Sequence, residues 1–145
     1  MIRLEQITEK TFFKVIDLKV KKEQESFVAE NIMSLAQAWL YYDKARPFAI
    51  VNDDVVVGFL MLEWDVESKT ASLWRFMIGE NHQKKGFGTA ALKEAIKLVR
   101  ESNLFTKMAL SVVKDNLDTL RYYQSFGFLE TGEIVDDEIV MAMDL

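Results

Sequence analysis

The 145-residue sequence contains no cysteine and only one histidine, His82. The absence of cysteine excludes a thiol nucleophile, a disulfide framework and any zinc or iron–sulfur site with cysteine ligands. A single histidine also excludes a histidine-rich metal centre. We therefore expect a protein that works without a bound metal.

Long apolar runs and an excess of positive charge are also absent. No stretch approaches the roughly 18 consecutive apolar residues of a membrane span, and the first six residues alternate in polarity, unlike a signal peptide. The 18 basic and 23 acidic residues give a net charge of −5, which argues against non-specific nucleic-acid binding and mildly favours cationic partners. We expect a cytoplasmic protein with neither a membrane nor a nucleic-acid partner.

The composition is that of a packed globular protein. Half of the residues are hydrophobic, 12% are aromatic and 28% are charged. A chain of this length can bury a core without disulfides and fits one domain, which we expect to span residues 1–145.

Apolar patterning predicts a mixed α/β (α+β) fold. We place strands at 2–6, 48–51, 55–62, 71–78, 107–112, 128–131 and 138–143. Helices are expected to begin at Thr8 or Thr11, near Phe27, at Gly86, and at Asp115 or Asn116. The strand–helix–strand order around the third helix predicts one right-handed parallel crossover in an otherwise mostly antiparallel, twisted central sheet flanked by helices.

Residues three and four positions apart define the apolar faces expected for two of the helices. In the second helix, which should end before Pro47, this face comprises Ile32, Leu35, Ala36, Trp39 and Leu40. In the third it comprises Leu92, Ala95, Ile96 and Val99.

A glycine pair between a predicted strand and a predicted helix is the sharpest local feature, in the segment QKKGFGTA at 83–90. Glycines let the backbone approach a ligand, and free N–H groups at a helix N-terminus bind anions. Lys84 and Lys85 add positive charge, so a pyrophosphate is the natural occupant. The pair alone also fits a plain turn or a dinucleotide fingerprint with alanine at its third glycine, but the strand that follows lacks the acidic residue of that fingerprint.

A polar stripe marks the last predicted helix. Asn116, Thr119 and Tyr123 are three and seven positions apart and share one face, whereas Tyr122 should point elsewhere. Taken alone, the stripe also fits an ordinary helix cap followed by a half-buried tyrosine.

Together, these two segments resemble the GNAT superfamily of acyl-coenzyme A dependent N-acyltransferases. QKKGFG at 83–88 matches its Gln/Arg-x-x-Gly-x-Gly/Ala loop, and NLDTLRYYQSFGF at 116–128 matches its Asn-x-x-Ala…Tyr…Gly-Phe element, with Thr119 in place of alanine. The segments 18–38 and 73–78 look more narrowly like bacterial spermine/spermidine acetyltransferases.

The resemblance implies a binding site for acetyl-coenzyme A. The backbone of Phe76, Met77 and Ile78 should bind the pantetheine arm and help to polarise the thioester, Asn116 should contact that arm, and Tyr123 should protonate the departing thiolate. A phenol with a pKa near 10 is protonated at neutral pH and suits this role. The pyrophosphate should be held by the backbone at Lys84, Lys85, Gly86, Phe87, Gly88 and Thr89, with Gln83 bracing the loop.

The resemblance leaves the general base open. Ser72, Trp74 and Arg75 stand where a catalytic Glu or Asp often occurs in relatives. A primary amine is mostly protonated at pH 7, so attack on the thioester needs a base, a water chain or a depressed amine pKa. The acids that could act through water, and could bind a polycation, are Glu23, Glu25, Glu63 and Asp65.

Several alternatives accompany the expected polyamine acetyltransferase. The acceptor could be another amine, such as an amino sugar, a small metabolite or a protein N-terminus, or the protein could be a non-catalytic acyl-coenzyme A sensor. The three tryptophans could line a tunnel or belong to the core. A Ser-His-Asp site with His82 and Ser72 or Ser111 lacks a nucleophile elbow. Exposed strands in a short chain favour a homodimer.

Overall fold

The computed structural model describes all residues, 1–145, and centres on a seven-stranded sheet. The strands are β1 Ile2–Gln6, β2 Ala45–Asn52, β3 Val55–Asp65, β4 Thr70–Ile78, β5 Lys107–Val113, β6 Leu129–Val135 and β7 Glu138–Asp144. Their spatial order is β1-β2-β3-β4-β5-β7-β6. Only β4 and β5 pair in parallel, which confirms the predicted fold class and crossover.

Four α-helices and two short 3-10 helices complete the chain. The α-helices are α1 Phe12–Ile16, α2 Asn31–Leu40, α3 Phe87–Ser102 and α4 Leu117–Gln124. The 3-10 helices cover Lys22–Phe27, hereafter the 3-10 segment, and Glu80–His82. None of the helices is long and apolar enough to cross a membrane.

The sheet is covered on both faces because side chains alternate along its central strands. In β3, Leu60 and Leu62 join a core with the apolar stripe of α3. Phe59 and Met61 point the other way, into a smaller core with Val15 of α1. The predicted stripe of α3 is buried along its length, as expected from its spacing.

The predicted buried face of α2 is wrong. Trp39 and Leu40 are 79% and 70% exposed, while the polar residues Asn31 and Ser34 are buried. Asn31 can be buried because its Nδ2 donates to the Val15 carbonyl at 2.8 Å, which removes the cost of desolvating an unpaired amide. The helix also begins at Asn31 instead of near Phe27, since the 3-10 segment and an extended stretch precede it.

Pro47 lies inside β2, whereas the sequence pattern places it before this strand. β1 covers β2 only from Phe48 to Asn52, so Pro47 lies on an uncovered edge where a missing N–H costs no ladder hydrogen bond.

The strands β4 and β5 separate part-way along their length. They pair only from Thr70 to Leu73 and from Lys107 to Leu110. A bulge also interrupts β4, because Leu73 faces Leu62 and Arg75 faces Met61, which leaves Trp74 as an extra residue. The backbone of 74–78 is therefore open on the side facing β5, and the cleft between the two strands positions the site.

Candidate active site

The cleft between β4 and β5 forms a cavity of about 870 Å³, hereafter the main cavity. Its walls come from the open edge of β4, the end of β5, α4, the 3-10 segment and the first residue of β7. Among the predicted site residues, those that line it are Glu23, Phe76, Met77, Ile78, Gln83, Asn116 and Tyr123. One cleft thus combines a free strand edge with side chains from segments far apart in sequence.

The loop before α3 has the geometry of an anion site. Gly86 adopts a left-handed conformation with φ of 82°, and Lys84 does so with φ of 62°. The first backbone hydrogen bond of α3 runs from Ala90 to the Gly86 carbonyl, which leaves the N–H groups of Phe87, Gly88 and Thr89 free. Neither Lys84 nor Lys85 forms an ion pair. These donors and cations suit a phosphate group.

The side chain of Gln83 joins this loop to two other elements. Its Nε2 donates to the Ile78 carbonyl at 2.9 Å, at the end of the open edge of β4. The same nitrogen donates to Gln24 Oε1 at 2.9 Å, and Gln24 Nε2 donates back to Gln83 Oε1 at 3.3 Å. Gln83 thus joins the end of β4 to the 3-10 segment, a contact that spacing along the chain does not predict.

Gly88 brings the start of α3 close to β4 and α4. A Cβ at this position would lie 3.6 Å from Phe76 Cζ and 3.7 Å from the Tyr122 hydroxyl. That hydroxyl is 3.1 Å from Thr89 Oγ1. Tyr122 also lines the main cavity, so the expectation that it points away from Tyr123's face is wrong. Tyr122 and Tyr123 are about 100° apart around α4, and the cleft is wide enough for both side chains to line it.

Tyr123 is only 8% exposed. Burial raises the pKa of its phenol above the usual value near 10, and Tyr122 raises it further. The hydroxyl has no hydrogen-bond partner in the protein and is not sealed from the cavity. A phenol that is firmly protonated at neutral pH and faces a cleft can donate a proton to a group bound there.

Asn116 is the residue before α4, but its side chain does not cap the helix. The amide is half-buried and lines the main cavity. Because it makes no hydrogen bond within the protein, it can bind a polar group in the cleft.

The lining of the main cavity also contains three acids and one cation, hereafter the acidic wall. Glu23, Asp118 and Glu138 line it together with Arg75. Arg75 donates to Gln37 Oε1 at 2.6 Å and lies over the Trp74 ring, 5.4 Å from its centroid. Burial lowers the pKa of this guanidinium, while the charge of Glu138 opposes that shift.

Arg75 Nε is the only buried side-chain nitrogen or oxygen that lacks a partner. The sequence singled out Arg75 only as an unusual residue at a position for a base, and it named neither Glu138 nor Asp118 as a site residue. The run of acids after Arg121 was the available signal for Glu138.

Three predicted acids lie outside the main cavity. Glu63 lines a neighbouring cavity of about 370 Å³ that shares Trp74 and Ser111 with the main one. Glu25 lines another cavity of about 560 Å³, next to α1 and α2. Asp65 accepts a hydrogen bond from the Ser68 backbone at 3.4 Å, and hydrogen bonds with Ser68 lower its pKa. The structure does not bring Asp65 to any of these cavities.

The tryptophans and His82 take separate positions. Trp74 lines the main cavity, whereas Trp64 packs against Phe105 and Trp39 is exposed. The three do not form a tunnel. His82 lines neither cavity that contains Ser111, so no Ser-His-Asp arrangement is present.

Comparisons with known proteins identify the family to which this fold belongs. Residues 4–128 match the family model described as the Acetyltransferase (GNAT) family. The spermine/spermidine N(1)-acetyltransferase of Bacillus subtilis (strain 168) is 31% identical in an alignment of 153 positions, gaps included, that covers 99% of each chain.

Solved structures share the fold at lower identity. The spermidine N-acetyltransferase from Vibrio cholerae, in complex with CoA and spermine, matches with a TM-score of 0.79 and 17% identity over 99% of this chain and 95% of that one. The PaiA N-acetyltransferase from Thermoplasma acidophilum, in complex with coenzyme A, matches with a TM-score of 0.74 and 15% identity over 100% and 99% of the two chains. With the family model spanning most of the sequence, the chain belongs to the GNAT acetyltransferase family.

Proposed function

We propose that this acetyltransferase transfers the acetyl group of acetyl-coenzyme A to a primary amine of a polyamine such as spermine or spermidine. The amine attacks the thioester directly within a ternary complex. The observation that carries the proposal is the main cavity, which the open edge of β4 and an acidic wall share and to which Gln83 joins the anion-binding loop. The name of the Bacillus subtilis relative supports a polyamine as the acceptor of the acetyl group.

The open edge of β4 in the main cavity and the adjoining loop before α3, whose residues 84–89 lie outside the cavity lining, are hereafter the coenzyme half. They suit acetyl-coenzyme A as a substrate. The free N–H groups at 87–89 and the two lysines fit its pyrophosphate. The unpaired backbone of 74–78 fits the amides of the pantetheine arm, and Asn116 adds a side-chain amide. No residue of the chain has to become acylated, which agrees with the absence of cysteine.

The acidic wall, hereafter the acceptor half, suits a cationic amine. Glu23 and Glu138 attract protonated nitrogens of the acceptor. The reacting nitrogen itself has to be neutral, yet an amine with a pKa near 10.4 is only about one part in 10³ neutral at pH 7. The Arg75 guanidinium disfavours a second cation beside it, which lowers the amine pKa, and carboxylates take up the released proton through water.

The transfer then balances without a covalent enzyme intermediate. The amine nitrogen forms a bond to the acetyl carbon, and the carbon–sulfur bond breaks. The proton lost by nitrogen passes through water to a carboxylate and then to solvent, and the departing thiolate takes a proton from Tyr123, which regains one from solvent. The phenol of Tyr123 is protonated before each turnover, because both its ordinary pKa near 10 and the raised value lie well above neutral pH.

Release of the coenzyme thiol tests this function directly. The protein contains no cysteine, so a thiol reagent reports only released coenzyme A and gives no background from the enzyme. We expect turnover with spermine and spermidine that exceeds turnover with aminoglycosides and with peptide N-termini. Activity confined to either of those other amines would refute the polyamine assignment, and coenzyme binding without turnover on any amine would support a sensor.

A second candidate acceptor is an amine that also bears an anionic group. Arg75 favours it, because a guanidinium that lines the acceptor half can pair with an anionic group. Substitution of Arg75 by Gln separates the two: it should weaken turnover of an amino acid-like amine and leave the KM for spermidine unchanged or lower.

A further inference from the structure

The 3-10 segment forms part of the acceptor half but is not anchored by the core. It contributes Glu23, Ser26 and Phe27 to the main cavity, and none of its six residues is buried. Val20 and Val28, which flank it, pack against the smaller core. Apolar packing therefore fixes the two ends of the segment and leaves its middle to polar contacts.

Gln24 supplies those contacts. It is the only side chain of the segment that forms a hydrogen bond to another element, and its partner is Gln83 of the coenzyme half. The same Oε1 accepts from the Lys21 backbone at 3.1 Å. Gln83 is held in turn by the Ile78 carbonyl on the open edge of β4. A continuous set of amide hydrogen bonds thus joins the two halves of the cleft.

We propose that Gln24 is a positioning residue for the acceptor amine: its amide pair with Gln83 holds the 3-10 segment, and with it Glu23, over the main cavity once the coenzyme occupies the loop. The identity of the two ligands rests on the proposed function. A bound pyrophosphate immobilises the loop that contains Gln83, so less conformational entropy is lost when the segment is then ordered. Coenzyme and amine consequently strengthen each other's binding by the same factor.

Hydrogen exchange of residues 21–27 tests the coupling without any amine. Coenzyme A should slow exchange there in the wild-type protein, and this protection should disappear in Gln24→Ala while the Kd for coenzyme A changes by less than about threefold. Gln6→Ala is the matched control, because Gln6 is exposed on β1 and its side chain forms no hydrogen bond. Gln24→Glu keeps an acceptor for both the Lys21 N–H and Gln83 Nε2 and loses only the donor to Gln83 Oε1, so it should retain part of the protection.

Kinetics with spermidine supply the second arm. At saturating acetyl-coenzyme A, Gln24→Ala should raise the KM for spermidine about tenfold and leave kcat within about twofold. Coenzyme A that binds without protecting 21–27, or an unchanged KM in Gln24→Ala, would overturn the positioning role alone. Coenzyme A that fails to bind the wild-type protein would overturn both this role and the proposed function.

Discussion

The coenzyme half of the proposed site is built largely from backbone, whereas the acceptor half is built from side chains. An open strand edge and the free N–H groups at the start of α3 form the first. Glu23, Arg75 and Glu138, from three distant elements, form the second. A backbone site depends on local conformation and suits a ligand shared by a whole family, while a side-chain site changes with single substitutions and suits a variable acceptor.

The largest expected effect concerns Tyr123, the proposed proton donor. Tyr123→Phe should lower kcat by about 10²-fold or more, because it removes a general acid, and it should change the Kd for coenzyme A by less than about threefold. Steady-state kinetics and calorimetry measure the two quantities.

Tyr122→Phe is the matched control for this substitution. It removes the hydroxyl bonded to Thr89 and keeps the ring beside Tyr123, so we expect a loss in kcat of less than about fivefold. A larger loss in Tyr122→Phe than in Tyr123→Phe would assign the proton transfer to Tyr122.

The second prediction tests whether the coenzyme half depends on backbone conformation. Gly86→Ala should raise the KM for acetyl-coenzyme A about tenfold, because a left-handed conformation costs a residue with a Cβ about 1–2 kcal/mol and the loop will shift to relieve it. The KM for spermidine, measured at saturating coenzyme, should stay within about twofold.

Gly132 offers the control for backbone strain alone. It also has a positive φ, of 89°, with no atom within 4 Å of an added Cβ, but it lies in β6. Gly132→Ala should cost similar stability without affecting the KM for the coenzyme. Equal kinetic effects of the two substitutions would show that Gly86 acts through overall stability.

The glycine loop and the stripe of α3 illustrate what the sequence could predict. Both depend on local spacing, which determines helix phase and loop conformation without reference to the rest of the chain. Six of the seven predicted coenzyme-loop residues need only their backbone, so their placement follows once the strand and helix are located. The cavity itself follows from the parallel pairing of β4 and β5, which the strand–helix–strand order indicated.

The acceptor half could not be predicted in the same way. Gln24 and Gln83 are 59 positions apart, and Arg75 and Gln37 are 38 apart. Such pairs depend on tertiary placement and leave no periodic signal. The prediction of a buried apolar face on α2 was wrong for a related reason. Spacing identifies an apolar face, but it does not show whether another element covers that face.

The third prediction tests the charges of the acceptor half. Glu138→Gln should raise the KM for spermidine about fivefold by removing a carboxylate that faces the cleft, with the KM for acetyl-coenzyme A unchanged. Asp65→Asn is the control, because Asp65 bonds to a turn and lies outside the cavities. We expect the KM of Asp65→Asn for spermidine to stay within about twofold of the wild-type value. A larger effect than that of Glu138→Gln would place the amine near the β3–β4 turn.

The smallest effect is on stability at high pH. The pKa of Tyr123 is raised on folding, so its contribution to the free energy of unfolding is fully present below the unfolded value near 10 and is lost as pH rises through the folded value. Tyr123→Phe should therefore lose less stability than the wild type between pH 9 and pH 11, by about 1 kcal/mol at the upper limit. Urea unfolding across this range measures the difference, and parallel pH profiles would show that the phenol is not perturbed.

The most direct test of the proposed acetyl transfer is the stoichiometry of the reaction with spermidine. Purified protein, acetyl-coenzyme A and spermidine are incubated together, and free thiol and acetylated spermidine are measured in the same samples. The proposal predicts one N-acetylated spermidine for each coenzyme A released, at a rate that falls at least about 10²-fold in Tyr123→Phe. Thiol release without acetylated spermidine, or an unchanged rate in that variant, would contradict it.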